Sequence, residues 1–266
     1  MKSRRAGAMT KCPATLIALA ERLADAAGIV ARRYFRTGVA VLGKADASPV
    51  TIADRKAETR MREIIARALP DHGILGEEHG ADRVDAEYVW VLDPIDGTKS
   101  FISGVPMFGT LIALLHRGQP ILGIIDQPIL RERWLGAAGR KTMFCGKRAS
   151  TRSCRRLADA TFFTTSPHMF HGADARGFER LRRAVKLPRY GTDCYAYGLL
   201  ASGHVDIVVE AGLKPHDYLA QATIIAGAGG IITDWHGRAL GLDSDGRVCA
   251  SGDRKLHKTI LRTLAR

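Results

Sequence analysis

Trp90-Val91-Leu92-Asp93-Pro94-Ile95-Asp96-Gly97-Thr98 runs on into Lys99-Ser100-Phe101. Val89 to Leu92 is a short apolar run, the pattern of a buried strand. Asp93 falls where the run ends, and Pro94 is expected to stop the strand because proline has no N–H for a ladder. Asp96 then follows a turn, and Gly97 and Thr98 stand where a helix or tight loop can start. Two carboxylates brought together at a strand end repel each other unless a cation sits between them. Backbone N–H groups at Gly97 and Thr98 suit an anion. The stretch therefore favours hard cations held by oxygens, beside a place for a phosphate. A bare D-x-x-D-G would read equally as a solvated turn; the length of the pattern argues against that.

Outward from this stretch, two amphipathic helices are expected on the N-terminal side. Leu16, Leu19, Leu23, Ala27, Val30 and Tyr34 recur at helical spacing from Pro13 to Phe35. Ile52 to Leu69 is the second helix, with Met61, Ile64, Ile65 and Ala68 as its apolar stripe. Between them lie a short strand candidate, Val39 to Leu42, and a polar loop, Lys44 to Thr51. Thr51 and Asp54 form a capping-box-like pair at the second helix. Gly73 to Gly76 reads as a strand that ends in Glu77 and Glu78, where α/β sites gather.

On the C-terminal side, Met107 to Leu115, Ile121 to Ile125, Trp134 to Ala137 and Thr142 to Phe144 form a meander, which predicts an antiparallel or mixed sheet. A basic, apolar-poor stretch from Cys145 to Asp159 marks the join between an N-terminal half, 1–150, and a C-terminal half, 151–266, within one compact unit. In the second half strands at Thr161 to Thr165, Leu187 to Tyr190 and Val205 to Val209 alternate with helices at Ala173 to Val185 and Tyr195 to Ala201, an α/β pattern. Pro215 suits the first position of a helix that runs to Ala228. Asp217 lies in its first turn, where an anion is favoured. Ile231 to Thr233 and Val248 to Ala250 are late strands, and Asp253 caps a final helix.

The chain has 266 residues, 46% of them hydrophobic, ample for one large domain or two closely packed halves. No apolar run reaches the roughly 18 residues of a membrane span, and the basic N-terminus has no apolar core of a signal peptide. Five scattered cysteines without a C-x-x-C pair indicate a reduced, cytoplasmic chain without structural zinc. The net charge of +13 is concentrated between Arg131 and Arg156 and between Arg176 and Arg189. Such charge attracts nucleic acid or steers an anionic substrate. The basic runs lack interleaved aromatics and match no nucleic-acid motif, so a solvated basic face is favoured over an RNA or transcription-factor surface.

W-x-x-D-P-I-D-G-T-x-x-F resembles the first signature of the inositol monophosphatase-like family of metal-dependent phosphatases. Ser48-Pro49-Val50-Thr51-Ile52-Ala53-Asp54 is similar to that family's S-P-V-T-x-A-D, and Gly76-Glu77-Glu78 to its G-E-E. Asp217 to Ala220, with Ala228-Gly229-Gly230, resembles the second signature, D-x-x-A followed by A-G-G. The family's usual tryptophan before this aspartate is His216 here. Gly212 to Ala220, G-L-K-P-x-D-Y-L-A, looks instead like the histidinol-phosphate phosphatase branch.

The resemblance spans Lys44 to the C-terminus. It implies an α/β (α+β) fold, a layered α-β-α-β-α sandwich, and a Mg²⁺-dependent phosphomonoesterase, with a homodimer expected. It implies that Glu77, Asp93, the carbonyl of Ile95, Asp96 and Asp217 ligate two metal ions. Oxygen ligands favour Mg²⁺ over zinc. It implies that Thr98, oriented by Asp54, acts with Glu77 on the attacking water in an in-line displacement. Asp96 and the amides of Gly97 and Thr98 would meet the phosphate. Asp193 and Glu210 would meet the rest of the substrate, with Glu210 expected at the site mouth. Histidinol phosphate is the expected substrate, ahead of an inositol phosphate and a nucleotide 3′-phosphate.

Overall fold

The computed structural model describes residues 11–38, 41–43 and 49–265. The expected loop from Lys44 to Ser48, and the start of the strand at Val39, lie outside the described residues. In chain order the elements are α1 (Ala14–Tyr34), β1 (Val41–Gly43), β2 (Pro49–Thr51), α2 (Ile52–Ala68), β3 (Gly73–Gly76), β4 (Gly80–Asp82), β5 (Tyr88–Asp96), α3 (Thr98–Ile102), β6 (Gly109–His116), β7 (Gln119–Gln127), β8 (Glu132–Ala137), β9 (Met143–Phe144) and β10 (Lys147–Arg148). They continue as β11 (Thr161–Thr164), α4 (Gly172–Ala184), β12 (Leu187–Tyr190), α5 (Tyr195–Ala201), β13 (Ile207–Glu210), α6 (Pro215–Gly227), β14 (Ile231–Thr233), β15 (Val248–Ser251) and α7 (Arg254–Ala265).

These elements stack in five layers. α1 and α2 cover one face of a mixed sheet ordered β10-β9-β8-β7-β6-β5-β3-β4. α5 and α6 cover its other face and also meet the second sheet, β12-β11-β13-β15-β14. α4 and α7 close the far side. The layered α-β-α-β-α sandwich expected from the resemblance is the fold.

Layer position explains the residue patterns. α1 is an outer helix and buries only one stripe, Leu16, Leu19, Leu23 and Ala27 among it. α6 lies between two sheets, so Tyr218, Leu219, Ala220, Thr223, Ile224 and Ile225 are buried around much of its circumference. β6 is covered on both faces and is buried from Gly109 to Leu115, which explains its unbroken apolar run. In α2 the apolar stripe is shifted from expectation: Ala53, Ala57, Met61 and Ile65 are buried, and Ala68 is exposed.

α6 lies close against its sheet because two strands offer glycine beneath it. A Cβ on Gly123 would stand 1.9 Å from the Ala220 carbonyl oxygen, and one on Gly136 would stand 2.5 Å from the backbone of Ile224. Gly136→Ala is therefore expected to destabilise the protein by about 1–3 kcal/mol, the usual cost of overpacking. Tm should fall by roughly 2–4 °C per kcal/mol. Gly241→Ala is the control, since its Cβ would meet nothing within 4 Å. Equal Tm values for the two variants in a thermal melt would contradict this packing.

Pro94 does not end its strand. β5 continues to Asp96, with Asp93 opposite Leu111 and Asp96 opposite Gly109. Three steps on β5 face two on β6, which is a β-bulge. The bulge absorbs the missing N–H of Pro94, and the Pro94 carbonyl accepts from the Thr110 hydroxyl at 2.8 Å. Asp96 is thus the last residue of the strand, with no turn between it and Asp93.

Candidate active site

Three carboxylates meet where β5 ends and α6 begins. Oxygens of Asp93, Asp96 and Asp217 all lie within 4.8 Å of one another. Each is fixed by a main-chain N–H. Asp93 accepts from Ile95 at 3.0 Å, across the bulge. Asp96 accepts from Cys194 at 2.7 Å, which ties the end of β5 to the start of α5. Asp217 reaches back to the Lys214 N–H at 2.7 Å and so closes the first turn of α6, with Pro215 as its first residue. Glu77, at the end of β3, lies against Asp93 and raises its proton affinity.

Such a cluster resists ionisation. Burial pushes the Asp93 carboxyl well up, and repulsion from Glu77, Asp96 and Asp217 pushes it further. Burial does the same to Asp96, with Asp193 and Asp217 adding to it. Asp217 is raised mainly by burial. A cation among these oxygens removes both causes. The donors are all oxygens, the set that suits a hard divalent cation.

Around this centre the other expected residues fall as follows. Gly97 adopts φ +88°, a left-handed conformation that turns the chain from β5 into α3. A Cβ there would stand 3.0 Å from the Asp193 carboxyl carbon, so Asp193 packs directly over Gly97. Ser100 donates to Asp193 at 2.9 Å. The Thr98 hydroxyl donates to the Ile95 carbonyl at 3.2 Å.

Two expectations need correction. Asp54 does not hold Thr98: its Oδ2 accepts from the Thr51 N–H at 2.9 Å and from the Thr51 hydroxyl at 2.5 Å. The capping box at the start of α2 is complete. The other oxygen, Oδ1, is buried and has no hydrogen-bond partner among the described residues. Glu210 is not at a mouth. It is 3% exposed, and its oxygens accept from the Thr165 N–H at 3.0 Å, from the Thr165 hydroxyl, and from Tyr197 at 2.8 Å. β13 lies between β11 and β15, so its last residue is enclosed by the segment after β11 and by α5. Glu210 stays within electrostatic reach of Asp193.

Burial pushes the Glu210 carboxyl up to about 7, against hydrogen bonds from Thr165 and Tyr197 that favour its charged form. An unfolded glutamate titrates near 4.5. Between these values the folded state holds a proton that the unfolded state has lost. This group's contribution to stability therefore falls as pH rises from about 4.5 to about 7. Glu210→Gln removes that dependence. The Tm of the variant relative to the native chain is expected to be higher at pH 8 than at pH 5, and a difference independent of pH would contradict the assignment.

Cys194, Ser100, Tyr197 and Thr165 were not legible as site residues. Their partners lie up to 98 positions away in sequence, and no spacing pattern links them. Ser100 alone gave a signal, as a hydroxyl within the central motif.

Part of the basic charge is engaged within the chain. Arg182 and Arg183 both bind Glu179, Arg133 binds Asp25 and Asp126, and Arg152 binds Asp206. Arg180 donates to the last carbonyls of α7, at Thr263 and Leu264. Among the described residues, no helix is long and apolar enough to cross a membrane.

A profile of the inositol monophosphatase family matches residues 13–266. The chain belongs to the inositol monophosphatase family. Its members are phosphatases, and the acidic centre stands where the family's two signatures converge. Among relatives, the chain is 53% identical over 256 residues to the bifunctional phosphatase IMPL2, chloroplastic, of Arabidopsis thaliana, covering 93% of this chain and 74% of that protein. It is 35% identical over 235 residues to a histidinol-phosphatase of Chlorobaculum parvum, covering 88% and 91%. Among solved structures, an inositol monophosphatase from Zymomonas mobilis superimposes with a TM-score of 0.88 at 47% identity, covering 95% of this chain and 98% of that one.

Proposed function

We propose that this family member is a Mg²⁺-dependent phosphomonoesterase whose preferred substrate is histidinol phosphate, hydrolysed to histidinol and phosphate. The observation that carries the substrate is a surplus of acid. Beyond the metal-holding carboxylates, Asp193 packs over Gly97, with Glu210 in electrostatic reach of it. A leaving group with an ammonium and an imidazole would meet negative charge there. The relative named histidinol-phosphatase supports this reading. A second reading, in which an inositol phosphate is also accepted, is favoured by the likeness to the Zymomonas mobilis inositol monophosphatase and to the plant bifunctional phosphatase.

Glu77, Asp93, Asp96 and Asp217, with the Ile95 carbonyl, would hold the Mg²⁺. Bound there, the metal supplies charge neutralisation and a more acidic water. The chain's own groups do the rest. The amides of Gly97 and Thr98 receive the phosphate oxygens. The Thr98 hydroxyl, while donating to Ile95, keeps lone pairs free to accept from the attacking water. Asp193 binds the cationic part of the leaving group.

The test compares phosphate release from histidinol phosphate, inositol 1-phosphate and a nucleotide 3′-phosphate. Histidinol phosphate is expected to give the highest kcat/KM; a higher value for another substrate would overturn the assignment. In the same assay Asp193→Asn removes one charge while keeping the shape. A charge-assisted hydrogen bond is worth about 1.5–3 kcal/mol, so KM for histidinol phosphate is expected to rise roughly tenfold or more. A phosphomonoester whose leaving group carries no charge should be nearly unaffected. Equal losses on both substrates would place Asp193 in the support of Asp96 instead.

A further inference from the structure

We infer that Glu58, on α2, is a positioning residue that sets the Glu77 carboxylate for the metal. The inference rests on the proposal that Glu77 is a metal ligand. Glu58 is fully buried, one turn beyond Asp54 on the same helix. Its carboxylate spans a gap between α2 and the segment after β3. Oε2 accepts from the Glu78 N–H at 2.7 Å, and Oε1 accepts from the His79 N–H at 3.1 Å. Arg62, one helical turn on, donates to Oε1 at 2.7 Å and also binds the Gly80 carbonyl. The two amides that follow Glu77 are thus held by one side chain. The Glu77 N–H itself is held from the other side, by the Leu92 carbonyl of β5 at 3.1 Å.

The sequence around the carboxylate has made room for it. A Cβ on Gly76 would stand 1.9 Å from Glu58 Oε1 and 2.4 Å from its carboxyl carbon. Gly76 is not in a left-handed conformation, so its backbone does not require glycine. What requires glycine is the passage of Glu58 to the backbone beyond. A glutamate is the chemistry this task needs. Two neighbouring N–H groups call for two acceptor oxygens, and a glutamine has one. Its NH₂ would face a backbone donor.

Groups that orient a metal ligand without touching the metal typically alter metal affinity or activity by about 10–100-fold when replaced. Glu58→Gln is expected to raise the Mg²⁺ concentration for half-maximal activity by roughly tenfold or more. At saturating Mg²⁺, kcat should stay within about twofold, because Glu58 touches neither substrate nor metal. Gly76→Ala displaces the same carboxylate from the opposite side and is expected to reproduce the shift. Direct Mg²⁺ binding by calorimetry gives a readout independent of turnover. A lower Tm with unchanged Mg²⁺ affinity in both variants would overturn the inference and leave Glu58 a purely architectural group.

Asp93→Asn in the same titration separates this from failure of the metal reading. If the native chain binds no Mg²⁺, or Asp93→Asn binds it as well as the native chain, the metal reading fails and the Glu58 inference falls with it. A last measurement needs no variant. Amide hydrogen exchange of the metal-free native protein is expected to show Glu78 and His79 protected, because their acceptor is already in place. Rapid exchange at both amides would overturn the inference.

Discussion

Asp93→Asn is expected to reduce kcat/KM by about three orders of magnitude. Asp93 is the most buried of the three clustered carboxylates, and Glu77, Asp96 and Asp217 all act on it electrostatically. On the proposed function, removing its charge takes away a metal ligand. Metal ions commonly supply several kcal/mol of transition-state charge stabilisation, and about 4 kcal/mol corresponds to about 10³ in rate. The fold should survive. Asp93→Asn relieves repulsion in the metal-free protein, so its Tm in the presence of a chelator is expected to equal or exceed that of the native chain. The two measurements together are informative. A variant that is inactive and also unfolded in chelator would show that the Asp93 carboxylate is needed for the fold as well as for the site. A variant with native activity would remove Asp93 from the centre of the site.

Thr98→Ala is expected to lower kcat by about 10²-fold with KM changed by less than about threefold. A positioned proton-transfer group typically contributes 10² to 10⁴ in rate, and a group that acts only on the attacking water leaves binding alone. Thr98 is the first residue of α3, and its hydroxyl donates to the Ile95 carbonyl. Alanine keeps the backbone amide that would receive the phosphate, so the phosphate seat is retained. Thr98→Ser keeps the hydroxyl and is expected to restore most of the loss. Steady-state kinetics with direct phosphate detection separates the outcomes. An unchanged kcat in Thr98→Ala would remove the hydroxyl from the chemistry. A large rise in KM would make it a phosphate contact instead.

The fold was legible where burial is decided by local pattern. The apolar stripe of α1, the continuous apolar run of β6, and Pro215 ahead of α6 each follow from short-range rules. So did the Thr51–Asp54 capping box. What the capping box hid was its consequence: one oxygen cannot be assumed free to orient Thr98 when the helix start already uses it. Pro94 misled for a related reason. Proline excludes a regular ladder position, and β5 avoids one by bulging rather than by ending.

The clustered acids Asp93, Asp96 and Asp217 were legible as chain positions because strand ends and helix starts place them without reference to distant chain. Glu210 was not, because its surroundings come from Thr165 and Tyr197, on segments that meet it only in the folded second half. The contacts of Cys194 with Asp96 and of Ser100 with Asp193 are invisible for the same reason. A side chain's position along a strand says where it stands; what encloses it depends on the neighbouring strands.

The most direct measurement is phosphate release from histidinol phosphate by protein stripped of metal with a chelator and then titrated with Mg²⁺. The predicted result is no release above background at zero Mg²⁺, with saturable recovery as Mg²⁺ is added. Full turnover by the stripped protein in excess chelator would contradict the account.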